Sequence, residues 1–439
     1  MKFIRLCFAQ ISCLLASVVL AEPFTVIHLP DTQNYVDFTL QKSKGYALDG
    51  VDLYMEQMRY IANRSVARGG DVVFVSAVGD VWQHVLRDSD PEHVARGLPS
   101  LGVTPDFAAL IAPEGTLNFE IPAAVAGYRL LAAAGLKFGV PPGNHDYDAW
   151  WNAPVAGAVA DLRDKATLAA VPAQQRQVHI GGFDAFRGAL GANSEFFKGK
   201  DWYVSAYNGG SSSAQIFEAA GYRFLNLALE MQAGDAVLAW AESVLDAHPG
   251  LPTIIATHDY LNPRSERKPG GMDLAIVDPG FNNSAETIWQ KFISKHDQIF
   301  LVLSGHQFGQ GKRVDANTKG HAVYQLLADY QGRGQVALDA GQRMEANGRP
   351  PSLGDGWLRE LQFTLDDARP RVHVRTYSTH YKAYSSELPG YAQWYRRWEQ
   401  PQMSDAEFLA ADDFTLELTD FRARFGAPVA PSKPAVQQK

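Results

Sequence analysis

Polar side chains able to bind metal ions follow five short apolar runs of the sequence. Each run has the composition of a buried β-strand, and oxygen or imidazole donors come directly after it. Ligand sites in an open α/β sheet form at such strand ends, because several loops converge there on a rigid frame. A turn would explain any one cluster, but five in succession are harder to explain in that way. The clusters are Asp31-Thr32-Gln33, Gly79-Asp80, Gly143-Asn144-His145-Asp146, Thr257-His258-Asp259 and Gly305-His306.

The order of these clusters resembles the motif order of the calcineurin-like metallophosphoesterases. That family carries Asp-x-His, Gly-Asp, Gly-Asn-His-Asp/Glu, His and Gly-His-x-His in this order. The resemblance covers roughly residues 24 to 380, and Gly143-Asn144-His145-Asp146 is its strongest single signal. It implies an α/β fold, a four-layer α/β/β/α sandwich with helices outside two facing sheets. It also implies metal-assisted hydrolysis of a phosphomonoester or phosphodiester.

The resemblance further implies two divalent metal ions and assigns their ligands. Two cations about 3.5–4 Å apart need a negative oxygen between them, and a short carboxylate supplies it. Imidazole and amide oxygens are compatible with Mn, Zn, Fe or Mg, so the identity of the ions stays open. The implied ligands are Asp31 and Gln33 at the first metal position, Asn144, His258 and His306 at the second, and Asp80 as the bridge.

By the same resemblance, His145 is a catalytic residue and not a ligand. It is implied to stabilise the phosphoryl oxygens or to protonate the leaving oxygen, while Asp146 orients its ring. The attacking group is implied to be a metal-activated hydroxide. His84 follows Asp80 closely, and for it a role near the substrate and a packing role both stay open.

Two residues at the first metal position depart from the family pattern. Gln33 replaces the commoner His, and its amide oxygen is a weaker, harder donor that favours Mn or Mg over Zn. Phe308 stands where the second His of Gly-His-x-His belongs, and a phenyl ring cannot bind a metal. Gln307, Gln310 or water are the candidates to fill this gap. The first metal position is therefore predicted to be the weaker one.

Apolar patterns along the chain alternate between strand and helix spacing, which favours α/β layering. Strands are predicted over 24–29, 71–78, 136–140, 222–230, 253–257, 299–304, 322–328, 358–365, 371–377 and 415–418. Those over 322–328, 358–365 and 371–377 are interpreted as hairpin strands. Helices are predicted over 54–67, 123–134, 235–247, 285–295 and 405–411.

We interpret most of the chain as one domain, over 22–390. An insertion at about 149–215 is less regular and is predicted to shape the mouth of a pocket. Residues 391–426 are predicted to be a C-terminal extension that packs on the domain, and 427–439 a disordered tail.

The first 21 residues have the pattern of a signal peptide. Lys2 and Arg5 precede an apolar run at 11–20, and small residues then allow cleavage after Ala21. The run is short for a membrane span, although a retained anchor stays an alternative. A secreted or periplasmic protein with no membrane span after cleavage is the prediction.

The composition of the 439 residues is that of a globular protein, with 46% hydrophobic and 20% charged residues. Both cysteines, Cys7 and Cys13, lie in the signal segment, so the mature chain is expected to lack disulfides. The formal net charge is −8 and no basic run occurs, which argues against a nucleic-acid-binding role.

Two other functions were weighed against the phosphohydrolase. One is a catalytically weak binding protein of the same fold with a single occupied metal position, in which Phe308 marks the lost one. The other is a metallopeptidase, but the chain lacks a His-Glu-x-x-His helix. The expected partner is a small phosphate ester or diester, while the substrate itself and the oligomeric state stay open.

Overall fold

The computed structural model describes residues 22–97, 103, 105–151, 179–269, 273–274, 281–365 and 369–428. The predicted signal segment at 1–21, residues 152–178 of the predicted insertion and residues 429–439 of the predicted tail lie outside the described residues. Within the described ranges, no helix has the length and apolar character that crossing a membrane requires.

Strands and mostly short helices alternate along the described residues. The strands are β1 Phe24–Leu29, β2 Val72–Ala77, β3 Lys137–Gly139, β4 Ala149–Trp151, β5 His179–Gly181, β6 Tyr203–Tyr207, β7 Ser212–Ala219, β8 Tyr222–Ala228, β9 Thr253–Ala256, β10 Ile299–Ser304, β11 Gly309–Ala316, β12 Ala322–Asp329, β13 Trp357–Thr364, β14 Arg371–Ser378, β15 Ala383–Tyr384 and β16 Asp413–Glu417. The α-helices are Gln33–Val36, Gly50–Asn63, Pro91–Ala95, Pro105–Ala108, Pro113–Gly115, Ile121–Ala133, Asp184–Leu190, Asp235–Ala247, Ala285–Lys291, Gln335–Asp339, Tyr391–Glu399, Asp405–Ala410 and Phe421–Phe425.

Two mixed sheets of seven strands each dominate the fold. The first has the order β15-β14-β13-β1-β2-β3, with β16 beside β14, and its strands β1, β2 and β3 run parallel. The second has the order β11-β12-β10-β9-β8-β7-β6, and its strands β8, β9, β10 and β12 run parallel. The carboxyl ends of the parallel strands therefore meet at one edge of each sheet, as a ligand site requires.

The two sheets are in direct contact. Apolar side chains of β1, β2 and β13 share one cluster with those of β8, β9 and β10. Ser76 Oγ of β2 also donates to Asn226 Oδ1 of β8 at 3.0 Å. A Cβ at Gly139 would lie 2.4 Å from Asn226 Nδ2, so this close approach of β3 requires glycine.

The opposite faces of both sheets pack against helices. Side chains alternate between the two faces of a strand, and Ile27 and Val75 accordingly cluster with the helices Gly50–Asn63 and Ile121–Ala133. On the second sheet, residues of β8, β9 and β10 cluster in the same way with Asp235–Ala247 and Ala285–Lys291. The predicted α/β character is confirmed.

The described strands agree with most predicted positions, but some differ in their pairing. Tyr203–Tyr207 and the start of Ser212–Ala219 fall within the predicted irregular insertion at about 149–215, and both elements are strands of the second sheet. Glycine has low β-propensity and Gly209 and Gly210 come just before β7, yet Ser212 and Ser213 at its start are buried. Strand β12, predicted to be a hairpin strand, pairs antiparallel with β11, which was not predicted, and also pairs in parallel with β10.

A buried ion pair ties the helix Tyr391–Glu399 to the loop that follows β12. Arg333 lies in that loop, and its guanidinium contacts Glu399 Oε1 at 2.8 Å, both side chains being buried. The guanidinium also lies 4.1 Å from the ring centre of Tyr330 and 4.7 Å from that of Tyr395. The helix Tyr391–Glu399 therefore fixes the backbone between β12 and the helix Gln335–Asp339.

Replacing Glu399 with methionine is expected to destabilise the protein by about 3 to 5 kcal/mol, because the buried Arg333 charge loses its closest carboxylate. The Asp412 carboxylate remains, but at 3.8 Å from the guanidinium. The measurement is the free energy of unfolding from a urea titration. Glu195→Met is the matched control, since Glu195 pairs with Arg129 at an exposed site and its loss should cost under about 1 kcal/mol. Equal losses in the two variants would contradict this account of the helix.

Candidate metal centre

The polar clusters come together where the parallel strands of the two sheets end. His28 Nε2 of β1 donates to Ser304 O of β10 at 3.2 Å, just before Asp31 and His306. Burial lowers the pKa of His28 to about 3, so this ring is neutral. The His306 backbone N–H then donates to Asp31 Oδ2 at 3.0 Å. These two bonds join the sheets directly beside the site.

Glycine precedes the functional residues because no side chain would fit there. A Cβ at Gly305 would lie 2.0 Å from Asp31 Oδ1, and one at Gly143 would lie 2.2 Å from Asp80 Oδ1. The following turns are also tight, since Asp80 and His306 have φ angles of 52° and 71°. Such left-handed backbone is uncommon for residues with a side chain and often occurs at functional sites.

Four donor groups converge at the predicted second metal position. His258 Nε2 lies 3.2 Å from Asp80 Oδ1, 3.0 Å from Asn144 Oδ1 and 3.2 Å from His306 Nδ1. His258 Nδ1 donates to Val78 O at 2.8 Å, which directs Nε2 at the other donors. Burial by itself would lower the pKa of His258, but the carboxylates of Asp80 and Asp31 raise it to about 10. The donor atoms of Asp80, His258 and His306 all lie within 4.8 Å of one another, as one metal ion requires.

The predicted first metal position contains a residue that the sequence did not reveal. Gln33 Nε2 donates to Asp80 Oδ2 at 2.9 Å and also to Gln331 Oε1. Gln331 Nε2 in turn donates to Asp31 Oδ2 at 3.2 Å. Asp31 Oδ1 and Gln33 Oε1 are buried and have no hydrogen-bond partner among the described residues. These two oxygens are therefore available to a cation.

Buried negative charge accumulates at the first position. Burial raises the pKa of Asp31 well above its usual range, and the charges of Asp329 and Asp80 raise it further. Burial also raises the pKa of Asp329 to about 7. Carboxylates that share a buried site repel one another. A divalent cation between them would remove this repulsion.

The side chain closest to the gap expected at Phe308 comes from the loop that follows β12. The side-chain amides of Gln307 and Gln310, the two candidates from the sequence, are hydrogen-bonded elsewhere. The Phe308 ring packs beside the loop after β12, where a Cβ at Gly332 would meet it at 2.8 Å. Gln331 precedes this glycine and brings its amide to Asp31 and Gln33.

His145 lies at the edge of the donor group with one ring nitrogen fixed. Its Nδ1 lies 2.6 Å from Gln83 O, and because a carbonyl only accepts, Nδ1 carries the proton. Its Nε2 lies 3.9 Å from Asp80 Oδ2, and the side chain is 16% exposed. The His145 backbone N–H donates to Asp80 Oδ1 at 2.9 Å. The ring is thus held between the predicted metal site and solvent.

Asp146 does not orient the His145 ring as expected. Its Oδ1 accepts the backbone N–H of Val81 at 2.8 Å, and its Oδ2 accepts that of Gly143 at 2.8 Å. In the tight helical turn Asn144–Asp146, neighbouring side chains point in different directions. Asp146 therefore fastens two site loops together, and the Gln83 carbonyl holds the ring.

A second buried cluster lies beside this loop. The donor atoms of Asp37, His84 and Glu120 also lie within 4.8 Å of one another. Burial by itself would lower the pKa of His84, but the hydrogen bond to Glu120 and its charge raise it. His84, whose role the sequence left open, thus packs against a carboxylate.

Comparisons with known proteins give distant similarities. No protein-family model matches the chain, so the family resemblance stays a prediction. The uncharacterised protein YvnB of Bacillus subtilis (strain 168) is 28% identical over 208 residues, which cover 46% of this chain and 13% of that protein. A dimetal phosphatase from Danio rerio is similar in structure with a TM-score of 0.38 and 12% identity, over 82% of this chain and 97% of that one. The anchor protein GAP50 of the Plasmodium inner membrane complex has a TM-score of 0.36 and 8% identity, over 82% and 86% of the two chains. TM-scores below 0.5 assign no activity to this chain.

Proposed function

We propose that this chain is an exported, metal-dependent phosphohydrolase that cleaves phosphomonoesters or phosphodiesters. The observation that carries the proposal is the position of the Asp80 carboxylate. Its Oδ1 lies 3.2 Å from His258 Nε2, while its Oδ2 lies 2.9 Å from Gln33 Nε2. The two oxygens of this buried carboxylate therefore face two separate sets of proposed ligand side chains, as a bridge between two cations must.

The donor sets fit two divalent cations. The second position offers two imidazoles, an amide oxygen and a carboxylate, which suits Zn, Fe or Mn, while the oxygen-rich first position favours Mn or Mg. When bound, the ions would activate a water molecule at neutral pH and neutralise charge on the phosphoryl oxygens. The proposed ligands are Asp31, Gln33 and Gln331 at the first position, Asn144, His258 and His306 at the second, and Asp80 at both.

His145 is proposed as the catalytic acid or phosphoryl-binding group. With Nδ1 hydrogen-bonded to Gln83 O, only Nε2 can face a substrate bound beside Asp80. A protonated Nε2 can donate to a phosphoryl oxygen or to the leaving oxygen. Asp146 is proposed to act indirectly, by holding the loops of Asp80 and Asn144 at a fixed separation.

The fold and location proposals are supported by separate observations. The apolar cluster shared by both sheets, with helices packed on their opposite faces, supports a four-layer α/β/β/α sandwich. The signal-like pattern at 1–21 supports secretion or a periplasmic location. The acidic composition supports a small phosphate ester as the substrate in preference to a nucleic acid.

Replacing Gln331 with methionine is expected to weaken one of two metal positions about 10- to 100-fold. Methionine keeps the volume of the side chain but removes the amide that contacts Asp31 and Gln33. Calorimetric titration of metal-free protein with Mn²⁺ measures both positions at once. Gln307→Met is the matched control, because the Gln307 amide contacts Asp259 and not the ligands. An equal loss of Mn²⁺ affinity in both variants, or no loss in either, would exclude Gln331 as a metal ligand.

A binding protein with one occupied metal position is the second candidate function. The hydrogen bond from Gln33 Nε2 to Gln331 Oε1 favours it, since it occupies the Gln331 oxygen without a metal. Metal analysis separates the candidates: two ions per chain with turnover support the enzyme, whereas one ion with slow turnover supports the binding protein.

The proposed function is tested with a panel of phosphomonoesters, phosphodiesters and nucleotides. Each substrate is assayed with Mn, Zn, Mg and Ca added to metal-free protein. Hydrolysis that depends on one of these metals supports the proposal. Failure of every combination contradicts it.

A further inference from the structure

The carboxylate of Glu120 binds the backbone of the loop that follows Asp80. Glu120 is fully buried, and its Oε2 accepts the N–H groups of Gln83 at 3.1 Å and His84 at 3.0 Å. Its Oε1 accepts the Phe38 N–H at 3.2 Å and lies 2.6 Å from His84 Nδ1. Both oxygens are thus occupied by two contacts each.

The same loop holds the His145 ring through a single peptide group. The Gln83 carbonyl, which accepts from His145 Nδ1 at 2.6 Å, belongs to the peptide whose N–H is that of His84. A peptide is planar and its N–H and C=O point in opposite directions. Glu120 binds one side of this plane and His145 the other, so the orientation of the peptide sets that of the ring.

The occupied oxygens argue against a third metal ion in this cluster. A cation bound to Glu120 would have to displace backbone N–H groups that have no other acceptor among the described residues, at a cost typical of buried unpaired donors. Asp37 Oδ1 likewise already accepts the N–H and the hydroxyl of Thr39, both at 2.7 Å. The cluster of Asp37, His84 and Glu120 therefore holds the surrounding backbone by hydrogen bonds.

We propose that Glu120 is a positioning residue for His145 and acts through the Gln83–His84 peptide. This inference rests on the proposed function, in which His145 Nε2 faces the phosphate ester. Glu120 fixes the proton on Nδ1 and the direction of Nε2, and it does so by accepting a hydrogen bond and not by its charge.

The test compares two conservative variants of Glu120. One removes the charge and keeps the hydrogen-bond acceptor in place, and the other keeps the charge and moves the acceptor. Glu120→Gln removes the charge but keeps an oxygen that reaches the His84 N–H, so kcat should fall less than about threefold. Glu120→Asp keeps the charge but withdraws it by one methylene, and a misplaced ring should lower kcat on the order of 10²-fold. KM should stay unchanged in both. A larger loss of kcat in Glu120→Gln than in Glu120→Asp, or equal losses in the two variants, overturns the proposal.

Two further variants separate positioning from general destabilisation. In a His145→Ala background, Glu120→Asp should lower kcat less than about threefold, because the group that it positions is gone. A full additional loss would indicate a structural role and overturn the proposal. His84→Gln removes the ring contact with Glu120 but keeps the backbone N–H, so a loss of kcat as large as that of Glu120→Asp would assign the effect to the ring contact and overturn the proposal.

A readout in metal-free protein does not depend on catalysis. The ring ¹⁵N signals of His145, identified by their absence from His145→Gln, should show the proton on Nδ1 in the wild type and in Glu120→Gln. Glu120→Asp should give a mixture of tautomers. An unchanged tautomer in Glu120→Asp overturns the proposal. The expected change in a protein without phosphohydrolase activity would uphold the positioning and contradict only the proposed function.

Discussion

Asp80→Asn is expected to lower metal-dependent hydrolysis on the order of 10³-fold, equivalent to a barrier increase of about 4 kcal/mol. The asparagine side chain has one oxygen and no charge, so it cannot bridge two cations. In either orientation, its N–H₂ group would face a hydrogen-bond donor, Gln33 Nε2 at the Oδ2 position or the His145 backbone N–H at the Oδ1 position. The measurement is kcat with saturating Mn²⁺, together with the metal content of the purified variant.

The response of Asp80→Asn to Mn²⁺ distinguishes a lost bridge from a damaged fold. Burial by itself would raise the pKa of Asp80, but the neighbouring His258 ring holds it well below its usual range in metal-free protein. Removing this charge should therefore lower the metal-free unfolding temperature. Added Mn²⁺ should stabilise the wild type but not the variant, because ligand binding stabilises only a state that binds it.

Asp355→Asn is the matched control for this prediction. Asp355 is a buried carboxylate that accepts the backbone N–H groups of Gln335 and Val336. Its replacement should lower stability while the metal content and the Mn²⁺-induced stabilisation stay those of the wild type. An active Asp80→Asn with two bound ions would contradict the bridging role.

His145→Gln is expected to lower kcat by about 10² to 10³, within the range for loss of a general acid. The glutamine amide cannot deliver a proton from the position of Nε2. The loss should be larger for alkyl phosphates, whose leaving oxygen needs a proton, than for nitrophenyl phosphates, whose leaving group does not. The measurement is kcat across a series of leaving groups.

The metal content of His145→Gln should stay at the wild-type value, because His145 lies beside the donors and is not one of them. His373→Gln serves as the matched control, since His373 lies on β14 and pairs with Asp413. A parallel loss across all leaving groups would assign His145 to phosphoryl binding and contradict the acid role. Loss of a metal ion would make it a ligand.

The sequence predicted best those features that depend on neighbouring residues. The strand at 24–29 and the strand at 299–304 are observed with those bounds, because their apolar runs are continuous and end at strong turn signals. The glycines at 79, 143 and 305 belong to the predicted clusters, and the structure shows why glycine stands there, since an added Cβ would lie 2.5, 2.2 or 2.0 Å from another atom. The local sequence was therefore sufficient to predict the bounds of these two strands.

Gln331 was missed because its position depends on strand pairing. The run at 322–328 was interpreted as a hairpin strand, and β12 does pair antiparallel with β11. Its parallel pairing with β10 brings the end of β12 to the edge that carries His306. That partner is chosen by packing across the sheet, which a single sequence does not encode locally.

Asp146 and Glu120 show the same limit at the scale of side chains. Asp146 is adjacent to His145 in sequence, yet its oxygens bind the N–H groups of Val81 and Gly143. Glu120 is remote from Gln83 in sequence and contacts its backbone directly. Adjacency along the chain therefore did not predict the groups that hold the proposed catalytic histidine.

The most direct test of the central claim is a metal titration of the stripped protein with activity followed at each step. Metal-free protein should be inert toward aryl phosphates and phosphodiesters. Activity should rise with added Mn²⁺ and level off at two ions per chain, with the second ion to bind producing most of the turnover. A protein that binds no metal and stays inert toward these substrates with excess Mn²⁺ would contradict the account.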